Sequence, residues 1–269
     1  MLALLTTRKT EQKAQKPSDR STAIKHVATV APVDRANQTA VLETKRTLAH
    51  QTIECVFSLS NGKLNFRPGQ FISVRVGLDE WQNAMLRSYS IASWPGENTL
   101  RLILRLVPDG PGTRFFSVLR PFETMQFTGP MGFFVNELGH PGDVVYVATG
   151  TGIAAIAPML AQTLAEHQTG QVHLLWGLRH EQDLFYQAEI EALAAQHPHF
   201  CAQVFLSQPR GGWPRIGRVV APLVELVPKL IQPTFYLCGN GQMIEECKAA
   251  LKTCGIDRKR QIRTEAFFD

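Results

Sequence analysis

Two domains are predicted by the sequence: an antiparallel β-barrel, and after it a doubly wound α/β domain built on a parallel sheet. Three observations lead there. The first half holds short β-prone runs separated by turn-forming pairs, as in small barrels and sandwiches. A polar Pro/Gly stretch, Gly139-His140-Pro141-Gly142-Asp143, then interrupts the pattern. Beyond it, apolar strands alternate with helices, which calls for crossover connections and a sheet covered on both faces. With 269 residues, 44% of them hydrophobic and 19% charged, the chain has the size for two ordinary domains and a globular composition. No apolar run approaches the roughly 18 residues of a membrane helix. The opening Met1-Leu2-Ala3-Leu4-Leu5 is too short for a signal-peptide core and has no basic region before it.

Residues 1–23 are expected to be a disordered basic tail. Over residues 1–25, Arg8, Lys9, Lys13, Lys16, Arg20 and Lys25 stand against only Glu11 and Asp19, so most of the formal net charge of +5 lies at this end. The segment is polar, rich in Lys and Gln and poor in aromatics, too poor to pack a core. It reads as a solubilising arm or a weak targeting segment.

Residues 24–138 are expected to form the barrel. Val27–Val30, Thr39–Leu42, Thr52–Phe57 and Phe71–Val76 are strand-like, with Asn61-Gly62 and Pro68-Gly69 as turns between them. Arg87-Ser88-Tyr89-Ser90 follows. In a strand, Arg87 and Tyr89 project to one face and the two serines to the other. A guanidinium grips phosphate through several N–H donors and a tyrosine ring offers a stacking surface, so the pair suits a ligand with both phosphate and a flat ring. A plain surface strand is the other reading. Leu100–Leu106 is a further strand, its apolar run broken by Arg101 and Arg105. After the tight loop Asp109-Gly110-Pro111-Gly112-Thr113, Arg114–Arg120 looks helical, with Gly112 and Thr113 at its start. Free N–H groups at a helix start favour anionic oxygen; Thr113 could equally be an ordinary cap.

Residues 139–269 are expected to form the α/β domain. Val144–Ala148, Val172–Gly177, Phe200–Leu206, Thr234–Cys238 and Ile262–Ala266 read as strands. Ala154–His167, Leu184–Gln196, Val219–Leu226 and Gly241–Cys254 read as helices. Between the first strand and helix stands Gly150-Thr151-Gly152-Ile153-Ala154-Ala155. It fits a G-x-G-x-x-A turn, which lets backbone approach a pyrophosphate at a helix N-terminus. The acidic residue that usually follows about 20 positions later is absent: Gly170, Gln171 and Val172 stand there. The five cysteines include no Cys-x-x-Cys and the eight histidines no ligand spacing, so no metal is expected, and reduced thiols in a cytoplasmic protein are.

Taken together these segments resemble the ferredoxin–NADP reductase superfamily of flavin-dependent reductases, over roughly residues 25–269. Phe66-Arg67-Pro68-Gly69-Gln70-Phe71 is similar to its F-x-P-G-Q-[FY] strand entry, and Arg87-Ser88-Tyr89-Ser90 to its R-x-Y-[ST] flavin motif. Gly129-Pro130-Met131-Gly132 is similar to its G-P-x-G segment. Gly150-Thr151-Gly152-Ile153 resembles its pyridine-nucleotide turn, Cys238-Gly239-Asn240-Gly241-Gln242-Met243 its C-G-x-x-x-M motif, and Glu265-Ala266-Phe267 the Glu-x-Phe terminus of many bacterial members. Two departures stand out. The family turn commonly runs on to proline at the position of Ala155, whereas here Pro158 comes three residues later. Ser207 is followed by Gln208, where NADP-preferring members often have Arg.

The resemblance implies an NAD(P)H-oxidising enzyme with FAD, rather than FMN, in the barrel domain. Arg87 would bind flavin phosphate and Tyr89 stack on the isoalloxazine. Ser88 belongs to the same motif, and Ser90 would place its hydroxyl near flavin N5. Gly112 and Thr113 would hold the flavin pyrophosphate; Gly150, Thr151 and Gly152 would cradle NADPH or NADH. Cys238 and Glu265 would line the space where nicotinamide meets flavin, with Phe267 beside it, although Cys238 is also readable as a small buried strand residue. Arg179, Ser207 and Arg218, with Arg210 and Arg215, are the candidates near a 2′-phosphate, so the expectation leans to NADPH. With no Cys-rich iron–sulfur segment and no globin-like one, electrons are expected to go singly to a separate ferredoxin or flavodoxin. Arg46, Lys63, Arg67 and Arg75 are candidates for a basic docking face. The rivals are a non-catalytic flavin relay subunit and a flavin or cytochrome-b5-type reductase.

Overall fold

The barrel half is organised by alternation. The structure, a computed structural model, describes residues 38–60, 62–137, 139–166 and 169–267. The expected tail, the expected strand Val27–Val30 and Phe268 lie outside the described residues. Six strands form one antiparallel sheet: β1 (Gln38–Ala49), β2 (Thr52–Leu59), β3 (Phe71–Leu78), β4 (Ala84–Ser90), β5 (Leu100–Arg105) and β6 (Thr124–Met131). Their order is β4-β3-β6-β1-β2-β5. The two outer strands approach one another through an Ile91–Leu102 bridge and the Ala92 N–H donating to Arg101 O at 2.8 Å. Inward-facing Leu42, Phe57, Ile72, Val74, Leu102, Met125 and Phe127 fill the interior. A helix, α1 (Pro111–Val118), lies between β5 and β6 and buries Phe116 in that core. Lys45, on β1, donates to the carbonyls of Phe116, Ser117 and Leu119 at 3.0, 3.0 and 2.6 Å. Its charge thus sits at the negative end of α1 and anchors the helix.

The second half is a five-stranded parallel sheet: β7 (Val144–Thr149), β8 (Val172–Leu178), β9 (Phe200–Leu206), β10 (Thr234–Asn240) and β11 (Ile262–Phe267), in the order β11-β10-β7-β8-β9. The strands are apolar on both faces. Tyr146, Ala148, Leu174, Trp176 and Cys238 point to one side, and Val145, Val147, Leu175, Phe235 and Leu237 to the other. Helices α2 (Ile153–Glu166) and α3 (Gln187–Gln196) cover the first face; α4 (Val220–Leu226) and α5 (Gly241–Thr253) cover the second. A short α6 (Arg258–Gln261), capped by the Asp257 carboxylate, leads into β11. The chain moves from β7 outward to β8 and β9, then returns to β10. The strand order therefore switches between β7 and β10, and crevices at such a point receive ligands.

The two sheets share a core. Ala92, Ile103 and Phe134, from the barrel half, belong to the same buried cluster as Ala154, Ala157 and Cys238, within one compact unit spanning Asp34–Asp269. A polar contact joins them too. Glu54 on β2 is 2% exposed and accepts from Arg46 Nε at 2.5 Å, from Arg101 Nη1 at 2.8 Å and from the Tyr186 hydroxyl at 3.0 Å. Burial would push the Glu54 carboxyl up, but the two guanidinium groups and the tyrosine hold it below its ordinary 4.5. A depressed carboxylate stabilises the fold above its unfolded pKa, and that contribution is lost as pH falls through the folded value. The melting temperature is therefore expected to drop on acidification from neutral pH towards and below about pH 4. Glu54→Gln is expected to lower it at pH 7 and flatten the slope. An unchanged slope in this variant, followed by calorimetry across that range, would remove Glu54 from the acid response.

Three expected elements shift and one strand was not expected. β1 runs seven residues beyond Leu42 because Lys45 and Arg46 have partners on α1 and β2 that the local sequence does not reveal. β6 contains Gly129 and Pro130 and was not among the expected strands. α3 starts at Gln187 rather than Leu184, because Phe185 and Tyr186 are buried first and Tyr186 sits at φ +57°. The Arg114–Arg120 helix begins at Pro111, the favoured residue type for a first turn.

Candidate functional site

Each of the two halves contributes a close backbone approach. On the barrel, β4 carries the Arg87–Ser90 motif at the sheet edge. Tyr89 is half-buried and stands edge-on to Phe116, 5.1 Å between centroids at 81°. Burial pushes its hydroxyl up to about 12. A Cβ built on Gly112 would lie 2.0 Å from that hydroxyl oxygen. Only glycine lets the start of α1 reach the Tyr89 ring, so the two motifs meet at one place. Thr113 does not cap the helix: its Oγ1 accepts from Val107 N at 2.7 Å and ties the preceding loop, and no side chain caps the α1 start. The Arg87 guanidinium is exposed and donates to Leu86 O at 2.8 Å. Ser88 is exposed; Ser90, at the strand end opposite Phe71, is 7% exposed.

On the α/β side, Gly150–Gly152 forms a tight 3-10 turn between β7 and α2. The Trp176 indole N–H donates to Gly150 O at 3.0 Å. A Cβ on Gly152 would lie 2.4 Å from Cys238 O, and one on Gly239 2.4 Å from Thr149 Oγ1. Thr149 Oγ1 accepts from Asn240 N at 3.0 Å. The ends of β7 and β10 are thus interlocked at the switch point, and neither Gly152 nor Gly239 can carry a side chain. Pro158 falls inside α2, which still begins directly at Ile153, so its displacement from the family position leaves the turn intact.

Cys238 is fully buried, in register with Ala148 on one side and Glu265 on the other. Burial, with the Glu265 charge adding to it, raises the thiol well above its ordinary range, so it is neutral. Burial also raises the Glu265 carboxyl. Phe267 is half-buried against the cluster containing Cys238. Ser90 connects to that cluster through Ala92, and β5 packs on the Gly150–Gly152 turn. The barrel motif and the nucleotide turn therefore lie along one shared seam.

Further out, Arg179 and Ser207 are exposed on the loops after β8 and β9. Those loops are zipped by Ser207 N to Leu178 O at 3.0 Å and Gln208 N to Arg179 O at 2.9 Å. The Glu181 carboxylate accepts from Arg210 and Gly211 N–H groups, and Asp183 from His180 N. Arg218 is turned to Glu246 on α5, 3.4 Å away. The structure thus brings Arg179 and Ser207 together and leaves Arg218 paired elsewhere. Three of the four expected docking cations are tied to neighbours. Arg46 is tied to Glu54, Arg67 donates to Asn136 O at 3.0 Å, and Arg75 to Gln126 at 3.4 Å on another strand. Thr149, Trp176, Glu54 and Tyr186 escaped sequence reading; Gly239 lay inside a quoted motif without its packing role.

Comparison with known proteins agrees with this layout. Residues 39–135 match the family model described as oxidoreductase FAD-binding domain, and residues 146–249 the one described as oxidoreductase NAD-binding domain. Ferredoxin–NADP reductase B of Sorangium cellulosum (strain So ce56) is 30% identical over 230 residues, 82% of this chain and 93% of that protein. The toluate 1,2-dioxygenase electron transfer component of Pseudomonas putida is 28% identical over 234 residues, 84% of this chain and 67% of that one. Among solved structures, a ferredoxin–NADP+ reductase from Neisseria gonorrhoeae with bound FAD and NADP superposes with a TM-score of 0.73 at 22% identity, covering 86% of this chain and 99% of that one. Among the described residues no helix is long and apolar enough to cross a membrane.

Proposed function

The chain belongs to the ferredoxin–NADP reductase superfamily, and we propose that it oxidises NADPH in preference to NADH and passes the electrons singly to a ferredoxin- or flavodoxin-type acceptor. It is an NAD(P)H-dependent flavin oxidoreductase that uses FAD. The observation that carries the reading is the seam itself: the Tyr89–Gly112 contact on one side and the Gly152–Cys238 interlock on the other, joined through a common core. The described residues up to 137 serve as the flavin domain and those from 139 as the nucleotide domain.

Bound flavin supplies the capacity to take two electrons from a nicotinamide and release them one at a time. The protein's task is to bind, orient and exclude water. Arg87 contacts flavin phosphate, Tyr89 stacks on the flavin ring, with Ser88 in the same motif. The uncapped start of α1 at Gly112 and Thr113 holds the pyrophosphate through backbone N–H groups. Gly150, Thr151 and Gly152 bring backbone equally close to the nucleotide pyrophosphate. Ser90 holds a hydroxyl beside the flavin. The neutral Cys238 thiol and Glu265, with Phe267, wall the place where the two rings stack. The preference for NADPH rests on the outer loops. The nearby carboxylates of Glu181 and Asp183 are occupied by backbone donors, whereas Arg179 presents a cation to a 2′-phosphate, with Ser207, whose hydroxyl donates to Leu178 O at 3.3 Å, on the neighbouring loop.

Ser90→Ala and Glu265→Ala are expected to slow flavin reduction about 10-fold or more, roughly 1.4 kcal/mol of barrier. Both contacts form mainly on the way to the transition state, so the maximal rate falls rather than KM alone rising. Stopped-flow reduction by NADPH and by NADH, with flavin content checked, tests this and the donor preference together. Wild-type rates in both variants with full flavin would take these residues out of the site, and faster reduction by NADH would reverse the assigned donor.

A further inference from the structure

We propose that Tyr186 is a positioning residue. Its hydroxyl docks on Glu54 of the barrel and, through Phe185 and Trp176, sets the place of the Gly150–Gly152 turn relative to the barrel. The inference rests on the reading that this turn receives the pyridine nucleotide.

Tyr186 is 6% exposed and sits at φ +57°, a conformation that bulky residues rarely adopt. Such a backbone persists only where its surroundings fix it, and here they do. The hydroxyl donates to Glu54 Oε1 at 3.0 Å, a contact across 132 positions of sequence. Four residues earlier in the chain, Gln182 O accepts from His50 N at 2.9 Å, a second link from the same loop to the β1–β2 hairpin. The Tyr186 ring packs on Phe185 at 5.4 Å, and Phe185 stands edge-on to Trp176 at 5.0 Å and 86°. Trp176 is fully buried, and its indole N–H holds Gly150 O at 3.0 Å. An unbroken set of contacts therefore runs from a barrel carboxylate to the backbone of the nucleotide turn.

The chemistry of the anchor favours registration over cohesion. Burying a carboxylate with two guanidinium groups is an expensive way to hold two domains together, and apolar packing of similar size does it as well. What a charged acceptor adds is direction. Glu54 Oε1 accepts at once from Arg101, on the strand that packs against the turn, and from Tyr186. One oxygen thus fixes both the barrel side and the nucleotide side of the seam. A misplacement of about 1 Å between stacked reactants can cost on the order of 100-fold in rate.

The test uses the full chain with its flavin bound. Tyr186→Phe removes one oxygen and keeps the ring packing; Trp176→Phe removes the indole N–H at the other end. Both are expected to keep wild-type flavin content and reduction by dithionite, with a lower melting temperature from the lost Glu54 partner and from the space left by the buried indole. The limiting rate of flavin reduction by NADPH should fall about 5- to 20-fold, with KM little changed. The long-wavelength absorbance of the stacked nucleotide and flavin should weaken in the same variants. The double variant should lose no more than the worse single one, since both cut the same connection. Three outcomes overturn the proposal: wild-type reduction rates in Tyr186→Phe, additive losses in the double variant, or a rate loss matched by loss of flavin. If the unmodified protein is itself not reduced by either nucleotide, the reading of the turn fails first and is recognised by that control.

Discussion

Gly152→Ala is expected to lower flavin reduction by NADPH at least about 100-fold, roughly 2.7 kcal/mol of barrier, while flavin stays bound. The added carbon would meet Cys238 O at 2.4 Å and Cys238 C at 2.8 Å, both backbone atoms of a central strand. Nothing flexible can yield, so either the Gly150–Gly152 turn or the end of β10 moves. Either movement shifts the nucleotide cradle relative to Cys238 and Glu265. The barrel's separate core cluster and the Arg87–Tyr89 motif contain none of the residues that must move. Flavin content by absorbance and reduction by dithionite should therefore match the parent protein. Rapid reduction by NADPH in this variant would mean that the turn does not hold the nucleotide.

Gly112→Ala is expected to empty the protein of flavin, and Tyr89→Phe in the same chain to restore much of it. The added methyl would sit 2.0 Å from the Tyr89 hydroxyl oxygen but 3.4 Å from the ring carbon that carries it, an ordinary contact. Tyr89 would have to swing away from Phe116, and the stacking surface would leave with it. Removing the hydroxyl makes the room that the methyl needs. Tyr89→Phe alone should weaken flavin retention only modestly. Tyr89→Ala and Arg87→Ala, losing the stack and the charge-assisted contact, should each cost roughly 1–3 kcal/mol of flavin binding. The signature is non-additivity between positions 89 and 112, read as flavin per protein after gel filtration. Additive losses would mean that the two residues do not meet in the bound state.

Much of the fold was legible because its signals are local. Val144–Ala148 is apolar at every position and followed by a glycine turn and a helix-period segment, and it emerged as a central parallel strand. Phe200–Leu206 emerged with the same ends. β6 was not legible because Gly129 and Pro130 stand inside it, and its pairing comes from partners on β1 and β3 far away in sequence. The second half of β1 is charged for the same kind of reason, since Lys45 and Arg46 answer to α1 and to Glu54.

Within the candidate site, residue types and spacing pointed to Arg87–Ser90, Gly112-Thr113 and Gly150–Gly152. What they could not tell is which atoms touch. Thr113 looked equally like a cap and a phosphate ligand, and its hydroxyl instead braces Val107 N. Arg218 looked like Arg179, yet it faces Glu246. Glu54 and Tyr186 carry no motif, because their meaning is a hydrogen bond between residues 132 apart.

The central claim is that one chain binds FAD and reduces it with a nicotinamide nucleotide delivered across the seam. The most direct measurement is the absorption spectrum of the purified protein under anaerobic titration with NADPH and with NADH. The account predicts flavin bands that bleach fully with about one equivalent of nucleotide, faster with NADPH, and return on adding an oxidised ferredoxin or flavodoxin. Flavin bands that respond to dithionite but to neither nucleotide would contradict it and would mark the chain as an electron relay instead.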